Sequence, residues 1–292
     1  MKIAITGGNG RIGRAVIKLA LGEGHCVVSI DCLRSKNPIT DIIDRFRRQD
    51  SIADIKHAQI DTSDYDALVD AFRGCDALIH LAAIPSPNDH SDHFVHNNNT
   101  VSSYNALRAA ADIGIERVCQ ASSINAIGGA YSRSPHYEYF PLDEKHPSYN
   151  EDPYSLSKYI CELQADSMAR RFDMTIASLR IHSVVQRRED ATQWGDLPNS
   201  QIEKQLWGYV RIDATARACL LGVSAKFSGH EVFYITAPDT MIKNISSLEL
   251  AAKYFPDVPI TGNLSGNRGF FSCKKAEELL GWRHDDKGVQ VG

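Results

Sequence analysis

The stretch from Lys2 to Gly13 constrains this chain more than any other. Lys2-Ile3-Ala4-Ile5-Thr6 is a short apolar run, and Gly7-Gly8-Asn9-Gly10-Arg11-Ile12-Gly13 follows directly. Ile12, Val16, Leu19 and Ala20 then recur at helical spacing as far as Gly22 and Gly24. The predicted order is strand, glycine turn, helix. Glycines at 7, 10 and 13 permit a tight turn, close approach of a pyrophosphate and close helix–strand packing. The helix N-terminus offers free N–H groups and a partial positive charge to phosphates. Cys26-Val27-Val28-Ser29-Ile30 predicts a second strand, ending in Asp31. An acid about 20 residues beyond such glycines suits the adenosine ribose hydroxyls. A carboxylate there repels a 2′-phosphate and favours NAD over NADP, although the nearby Arg34 keeps NADP open.

The alternation continues. Strands are predicted at His57–Ile60, Asp76–Ala83, Glu116–Ala121 and Thr175–Ile181, with helices at Tyr65–Phe72, from about 99 to 113, and from 153 to about 172. Residues 35–55 predict a short amphipathic surface helix, and 124–129 and 131–152 predict loops. A strand–helix repeat of about 25–30 residues is that of βαβ units in a parallel sheet. The fold class is therefore α/β, a doubly wound parallel sheet of Rossmann type. Residues 1–181, with 207–237 returning to them, form the dinucleotide-binding domain. Residues 182–206 and 238–292 supply a small substrate-binding region.

Composition excludes other classes. The 292 residues carry a formal net charge of -4, with no basic excess to neutralise nucleic-acid phosphates or an anionic membrane. The seven cysteines are scattered and form no CxxC, which suits single buried thiols in a reducing compartment rather than disulfides or zinc. MKIAIT runs straight into glycines, and no long apolar run occurs, so a soluble cytoplasmic protein is expected. His90, His93 and His96 fan around a helix by about 120° and converge poorly on one ion, so no metal is expected. That segment is predicted to be a surface loop, capped into the next helix by Asn97-Asn98-Asn99.

Tyr154-Ser155-Leu156-Ser157-Lys158 follows Asp152-Pro153, a strong helix start. On a helix, Tyr154 and Lys158 emerge one turn apart on one face. The ammonium favours a phenolate and is expected to lower the Tyr pKa from about 10, making a general acid/base. Ser123 stands at a strand's carboxyl end, where parallel sheets bind ligands, and so faces the crevice of the glycine turn.

Together, Thr6–Gly13, Asp31, Asp61-Thr62, His80-Leu81-Ala82-Ala83, Asn99 with Asn105, Ser122-Ser123 and Pro153–Lys158 occur in an order that resembles the extended short-chain dehydrogenase/reductases. The NAD-dependent epimerase/dehydratase branch is the nearest likeness. Tyr209-Val210 and Lys275–Trp282 resume it. The resemblance implies that Tyr154 is the acid/base, that Lys158 holds the ribose and tunes Tyr154, and that Ser123 steadies the substrate oxygen. It assigns cofactor contacts to Gly7, Gly10, Arg11, Ile12, Gly13, Asp31, Asp61, Thr62, Leu81, Ala82, Ala83, Asn99 and Ile181. It assigns substrate contacts to Ser86, Ser123, Asn125 and Ser183. A homodimer through the helices near 99–113 and 153–172 is implied as well, with Tyr104, Leu107, Tyr159, Leu163 and Met168 as candidate contacts.

The substrate half departs from the nucleotide-sugar members. Ser183 stands where they carry an Asn, and Trp207 stands where an Arg grips a diphosphate. Leu179-Arg180-Ile181-His182-Ser183 with Arg187 and Arg188 looks more like the uronate dehydrogenases, in which an Arg meets the substrate. Three functions remain: an NAD-dependent oxidoreductase of a small sugar-like substrate, an epimerase or dehydratase with no net redox, and a non-enzymatic NAD-binding regulator.

Overall fold

The computed structural model describes residues 1–33, 54–195 and 200–285. Arg34 and most of the expected helix at 35–55 lie outside the described residues. Seven strands form one sheet: β1 (Lys2–Thr6), β2 (Cys26–Asp31), β3 (Ile55–Gln59), β4 (Ala77–His80), β5 (Arg117–Ser123), β6 (Thr175–Ile181) and β9 (His230–Ile235). Their order is β3-β2-β1-β4-β5-β6-β9, and every pairing is parallel. The short strands β7 (Val184–Val185) and β8 (Val210–Arg211) pair separately.

Strand alternation explains why both faces are covered. Ile3 and Ile5 point into a core with α1 (Arg11–Gly22) and the helix Ile212–Ser224. Ala4, Val28 and Ile30 point into another, with α2 (Tyr65–Phe72), α3 (Asp92–Asp112) and α4 (Pro153–Phe172). Strands buried on both faces carry continuous apolar runs, which is why they were legible. The chain reverses direction across the sheet between β1 and β4. There the loops at their carboxyl ends diverge and open a crevice.

A third apolar cluster is rich in aromatics. Phe140, Trp207, Phe255 and Phe270 pack edge-on or tilted in it. The 131–152 segment laces this cluster rather than lying loose. Phe140 bridges Ile260 and Leu142 bridges Phe271.

Several boundaries differ from expectation: β3 runs Ile55–Gln59 rather than His57–Ile60, and β4 ends at His80, so Leu81-Ala82-Ala83 lie beyond the strand. Helix α3 begins at Asp92, so His93 and His96 lie within it and Asn97–Asn99 do not cap it. Its inner face buries Val95 but also Asn99, Ser102 and Ser103, so polar residues hide the apolar period. Residues 124–127 form a 3-10 turn rather than a loop. The Ser123 hydroxyl oxygen caps it, accepting from Asn125 N–H at 3.1 Å.

Candidate active site

The crevice holds two cavities with Leu81 and Ala83 in the wall of both. One, of about 290 Å³, is lined by Gly7, Gly10, Asp31, Asp61, Thr62 and Ala82, with Cys32, Leu33, Ile60, Ile84 and Asn98. The other, of about 270 Å³, is lined by Ile12, Ser123, Asn125, Tyr154, Lys158, Ile181 and Ser183, with Pro85, Tyr131, His182 and Gln205 among others.

Backbone geometry shapes the first cavity. Gly7 has φ 68°, and a Cβ there would sit 2.9 Å from Ala82 N and from Leu81 C. Any side chain would fill the cradle where β1 and β4 diverge. Gly10 caps α1 without a side chain, leaving the helix N-terminus open. Asp31 ties the turn together, accepting from Asn9 N–H and Leu33 N–H, each at 3.0 Å. Thr62 hydroxyl hydrogen-bonds Ser102 hydroxyl at 2.6 Å. These residues fit a dinucleotide: a carboxylate for ribose hydroxyls, a glycine cradle and an uncapped helix end for a pyrophosphate.

Gly13 plays a packing part. Its missing Cβ would fall 2.2 Å from Gly7 O. Gly13→Ala must push the glycine turn off the helix, an overpacking cost of about 1–3 kcal/mol. The expected result is a lower urea midpoint together with NADH binding weakened about tenfold in fluorescence titration. Unchanged NADH affinity would show that the turn tolerates the shift.

Helix α4 builds the second cavity. Asp152 caps it, accepting from Ser155 N–H at 2.9 Å, with Pro153 in the first turn. Tyr154, Lys158 and Glu162 follow at successive turns along one buried stripe. The phenol shares this cavity with the Ser123 hydroxyl, which favours its ionised form. Because Ser123 oxygen already accepts from Asn125 N–H, its proton is free for Tyr154 or a substrate oxygen. Lys158 Nζ donates to Ala121 O at 2.7 Å and stands 5.9 Å from the Tyr154 ring centre.

The expected lowering of the Tyr154 pKa is not what this arrangement produces. Burial dominates and pushes the phenol well up, with the Ser123 hydrogen bond opposing. Burial also lowers Lys158. The chain's own groups therefore hold a neutral phenol. Nearby imidazoles are neutral for the same reason: burial takes His80 down to about 3 and His182 to about 4.

A buried ion pair fixes α4 to the sheet. Arg180 Nε and Nη2 donate to the two Glu162 oxygens at 2.9 and 2.8 Å, and Ser122 hydroxyl donates to Oε1 at 2.6 Å. This joins the helix carrying Tyr154 to β6 and to the residue beside Ser123.

Several expected contacts are not assembled. Asn99 lines neither cavity. Its amide accepts from Ile84 N–H at 2.8 Å and donates to Ser157 Oγ at 3.1 Å, so it braces the wall from behind. Arg11 is exposed on the first turn of α1 and lines neither cavity. Ser86 turns back to accept from Asn88 N–H at 3.4 Å, and Pro85 faces the cavity instead. The arginines are engaged elsewhere. Arg188 donates to Asp239 Oδ2 at 2.9 and 2.6 Å, and the exposed Arg187 pairs with Asp190. Trp207 is buried in the aromatic cluster. Gln205, Tyr131 and His182 escaped the sequence reading, since no motif or spacing marks them.

Among the described residues no group of His, Cys, Asp or Glu could hold a metal, and no helix is long and apolar enough to cross a membrane. The seven cysteines form no disulfide, and three of them, Cys119, Cys161 and Cys219, are buried.

Comparison with known proteins agrees with this geometry. A putative UDP-glucose 4-epimerase of Methanocaldococcus jannaschii is 25% identical over 96% of this chain and 92% of its own. An L-arabinose 1-dehydrogenase (NAD(P)(+)) of Haloferax volcanii is 30% identical over 62% of this chain and 66% of its own. The fold is shared with UDP-glucose 4-epimerase from Bifidobacterium longum, solved in complex with NAD+ and UDP, at a TM-score of 0.69 and 19% identity, covering 98% of this chain and 94% of that one. The sequence model of the NAD dependent epimerase/dehydratase family matches residues 3–206. With the glycine cradle, Asp31 and the buried Tyr154–Lys158 stripe in one crevice, the chain belongs to the NAD-dependent epimerase/dehydratase family, and its cofactor is NAD.

Proposed function

We propose that the protein is an NAD-dependent oxidoreductase acting on a hydroxyl or carbonyl of a small sugar-like substrate. The observation that carries this is the placing of Ser123, Tyr154 and Lys158 around one cavity that shares its wall with the dinucleotide cleft. Bound NAD supplies the hydride acceptor and a positive charge that opposes the effect of burial on Tyr154. Tyr154 oxygen takes the substrate hydroxyl proton, or returns it to a carbonyl oxygen in the reverse direction. Ser123 hydroxyl donates to the developing carbonyl oxygen. Lys158, anchored on Ala121 O, keeps a positive charge beneath the site.

The test is NADH formation at 340 nm from NAD and a panel of aldoses, polyols and uronates. A steady rise with at least one sugar is expected. The long-coverage epimerase relative favours a second reading, with transient oxidation and no net redox. Isomer interconversion without NADH release would select that reading. No turnover of either kind would overturn both.

The same proposal includes a homodimer. Val101, Tyr104, Leu156 and Leu163 are exposed on α3 and α4, whereas Leu107 and Met168 are buried in the core of the same chain. Tyr104→Glu with Leu163→Glu should turn a dimer into a monomer in sedimentation velocity at micromolar concentration. A wild type already monomeric there would sink the idea. Seven cysteines with no disulfide among them, three of them buried, suit a reducing compartment such as the cytoplasm.

A further inference from the structure

Gln205 lines the second cavity together with Tyr154. Its position is tightly built. His182 Nδ1 accepts from Ser183 N–H at 2.6 Å, so the neutral ring carries its proton on Nε2 and donates it to Gln205 O at 3.0 Å. A Cβ on Gly208 would lie 2.5 Å from His182 Nε2, so only glycine there admits the imidazole. Leu206 and Trp207 both adopt positive φ, 55° and 52°. Two adjacent non-glycine residues in that region carry strain, which persists where the surroundings over-determine it. Here their side chains are buried in the aromatic cluster and the imidazole holds the preceding carbonyl.

That backbone delivers one side chain to the cavity. Ser183 hydroxyl donates to Gln205 Oε1 at 2.7 Å, which turns the carboxamide so that its NH₂ is the uncommitted end. Asn125 is oriented likewise: Oδ1 accepts from Ala130 N–H at 3.1 Å. Two amide NH₂ groups, with no acceptor for either among the described residues, thus line the cavity that holds Tyr154 and Ser123. The one charged side chain among its described lining residues is Lys158, already donating to Ala121 O. No arginine and no carboxylate lines it among the described residues.

We infer that Gln205 is a specificity-determining residue that donates to a ring or carbonyl oxygen of an uncharged sugar, so that the substrate is a neutral aldose or its lactone rather than a uronate or a sugar nucleotide. This rests on the oxidoreductase reading. Amide NH₂ groups satisfy hydroxyl and carbonyl oxygens, whereas a carboxylate or diphosphate buried there would lack a cationic fork. His182 is a positioning residue that sets Gln205 through its backbone.

The test compares wild type, Gln205→Leu and Gln205→Arg on L-arabinose, D-glucose, D-glucuronate and UDP-glucose by NADH formation, with NADH binding followed separately by fluorescence. Wild type should prefer a neutral aldose. Gln205→Leu should raise KM for that aldose about tenfold while kcat and NADH affinity change less than about twofold. Gln205→Arg should shift the kcat/KM ratio toward D-glucuronate by about tenfold, a gain that a merely structural residue would not give. Wild-type KM in Gln205→Leu, or a wild type that prefers D-glucuronate or UDP-glucose, overturns the inference while leaving the oxidoreductase reading intact. If no sugar yields NADH from any of the three proteins, the oxidoreductase reading fails and takes this inference with it.

Discussion

Tyr154→Phe should lower kcat for the oxidised sugar by about 10²–10⁴-fold, the range expected when a positioned general acid/base is removed. NADH affinity should stay within about twofold, since the lost atom is a single hydroxyl at the far cavity. Tyr154 is 8% exposed and lines the cavity together with Ser123. Phe keeps the ring and its edge-on contact with Tyr131. The variant therefore removes the proton carrier and little else. Burial, reinforced by Tyr131 and Asp152 nearby, holds the phenol neutral, so the chain by itself favours proton donation to a carbonyl oxygen. Oxidation, which needs the phenolate, should then speed up as pH rises, and this limb should vanish in Tyr154→Phe. The measurement is a kcat/KM–pH profile of wild type beside the variant's residual rate. Equal rates in the two proteins would remove Tyr154 from the chemistry and, with it, the enzyme reading of this site.

Glu162→Ala should destabilise the fold by about 3–5 kcal/mol, the cost of leaving a buried arginine without its partner. Both side chains are 5% exposed, so solvent cannot replace the lost carboxylate. Ser122 hydroxyl loses its acceptor too. For a chain of this size the loss corresponds to a Tm lower by on the order of 10 °C. Glu162→Gln, which keeps one acceptor oxygen, should fall between the two. Because Glu162 lies one turn beyond Lys158 on the stripe, kcat should fall in Glu162→Ala even well below its melting temperature. Urea unfolding followed by circular dichroism measures the first effect. A loss under about 1 kcal/mol would mean that Tyr234 hydroxyl, which already accepts from Arg180 Nη1 at 3.3 Å, suffices to hold the guanidinium.

The sequence by itself determined the strand–turn–helix at 2–22, the five strands that follow, the capped helix from Pro153 to Phe172, and the residue types at Gly7, Asp31, Ser123, Tyr154 and Lys158. Those features are local. A fully buried strand needs an apolar run, a helix start needs a cap, and a cradle needs glycine, so each leaves a mark at its own position. Of helix α3 only the start is not legible: its first turns, residues 92–98, bury Val95 alone among polar and exposed residues and so carry no apolar period.

Tertiary structure alone decided the rest. The direction of the Tyr154 shift depends on how deeply α4 is buried, which no spacing encodes. Asn99 and Arg188 have binding chemistry, yet packing gives them other partners: Ile84 and Ser157 for one, Asp239 for the other. Gln205 is the reverse case. It is a common surface residue type in an unmarked stretch. It faces the cavity because His182, a residue far away in the chain, holds its carbonyl and the aromatic cluster holds the two positive-φ residues after it. Non-local contacts set where a side chain ends up, and a single sequence records only the side chain.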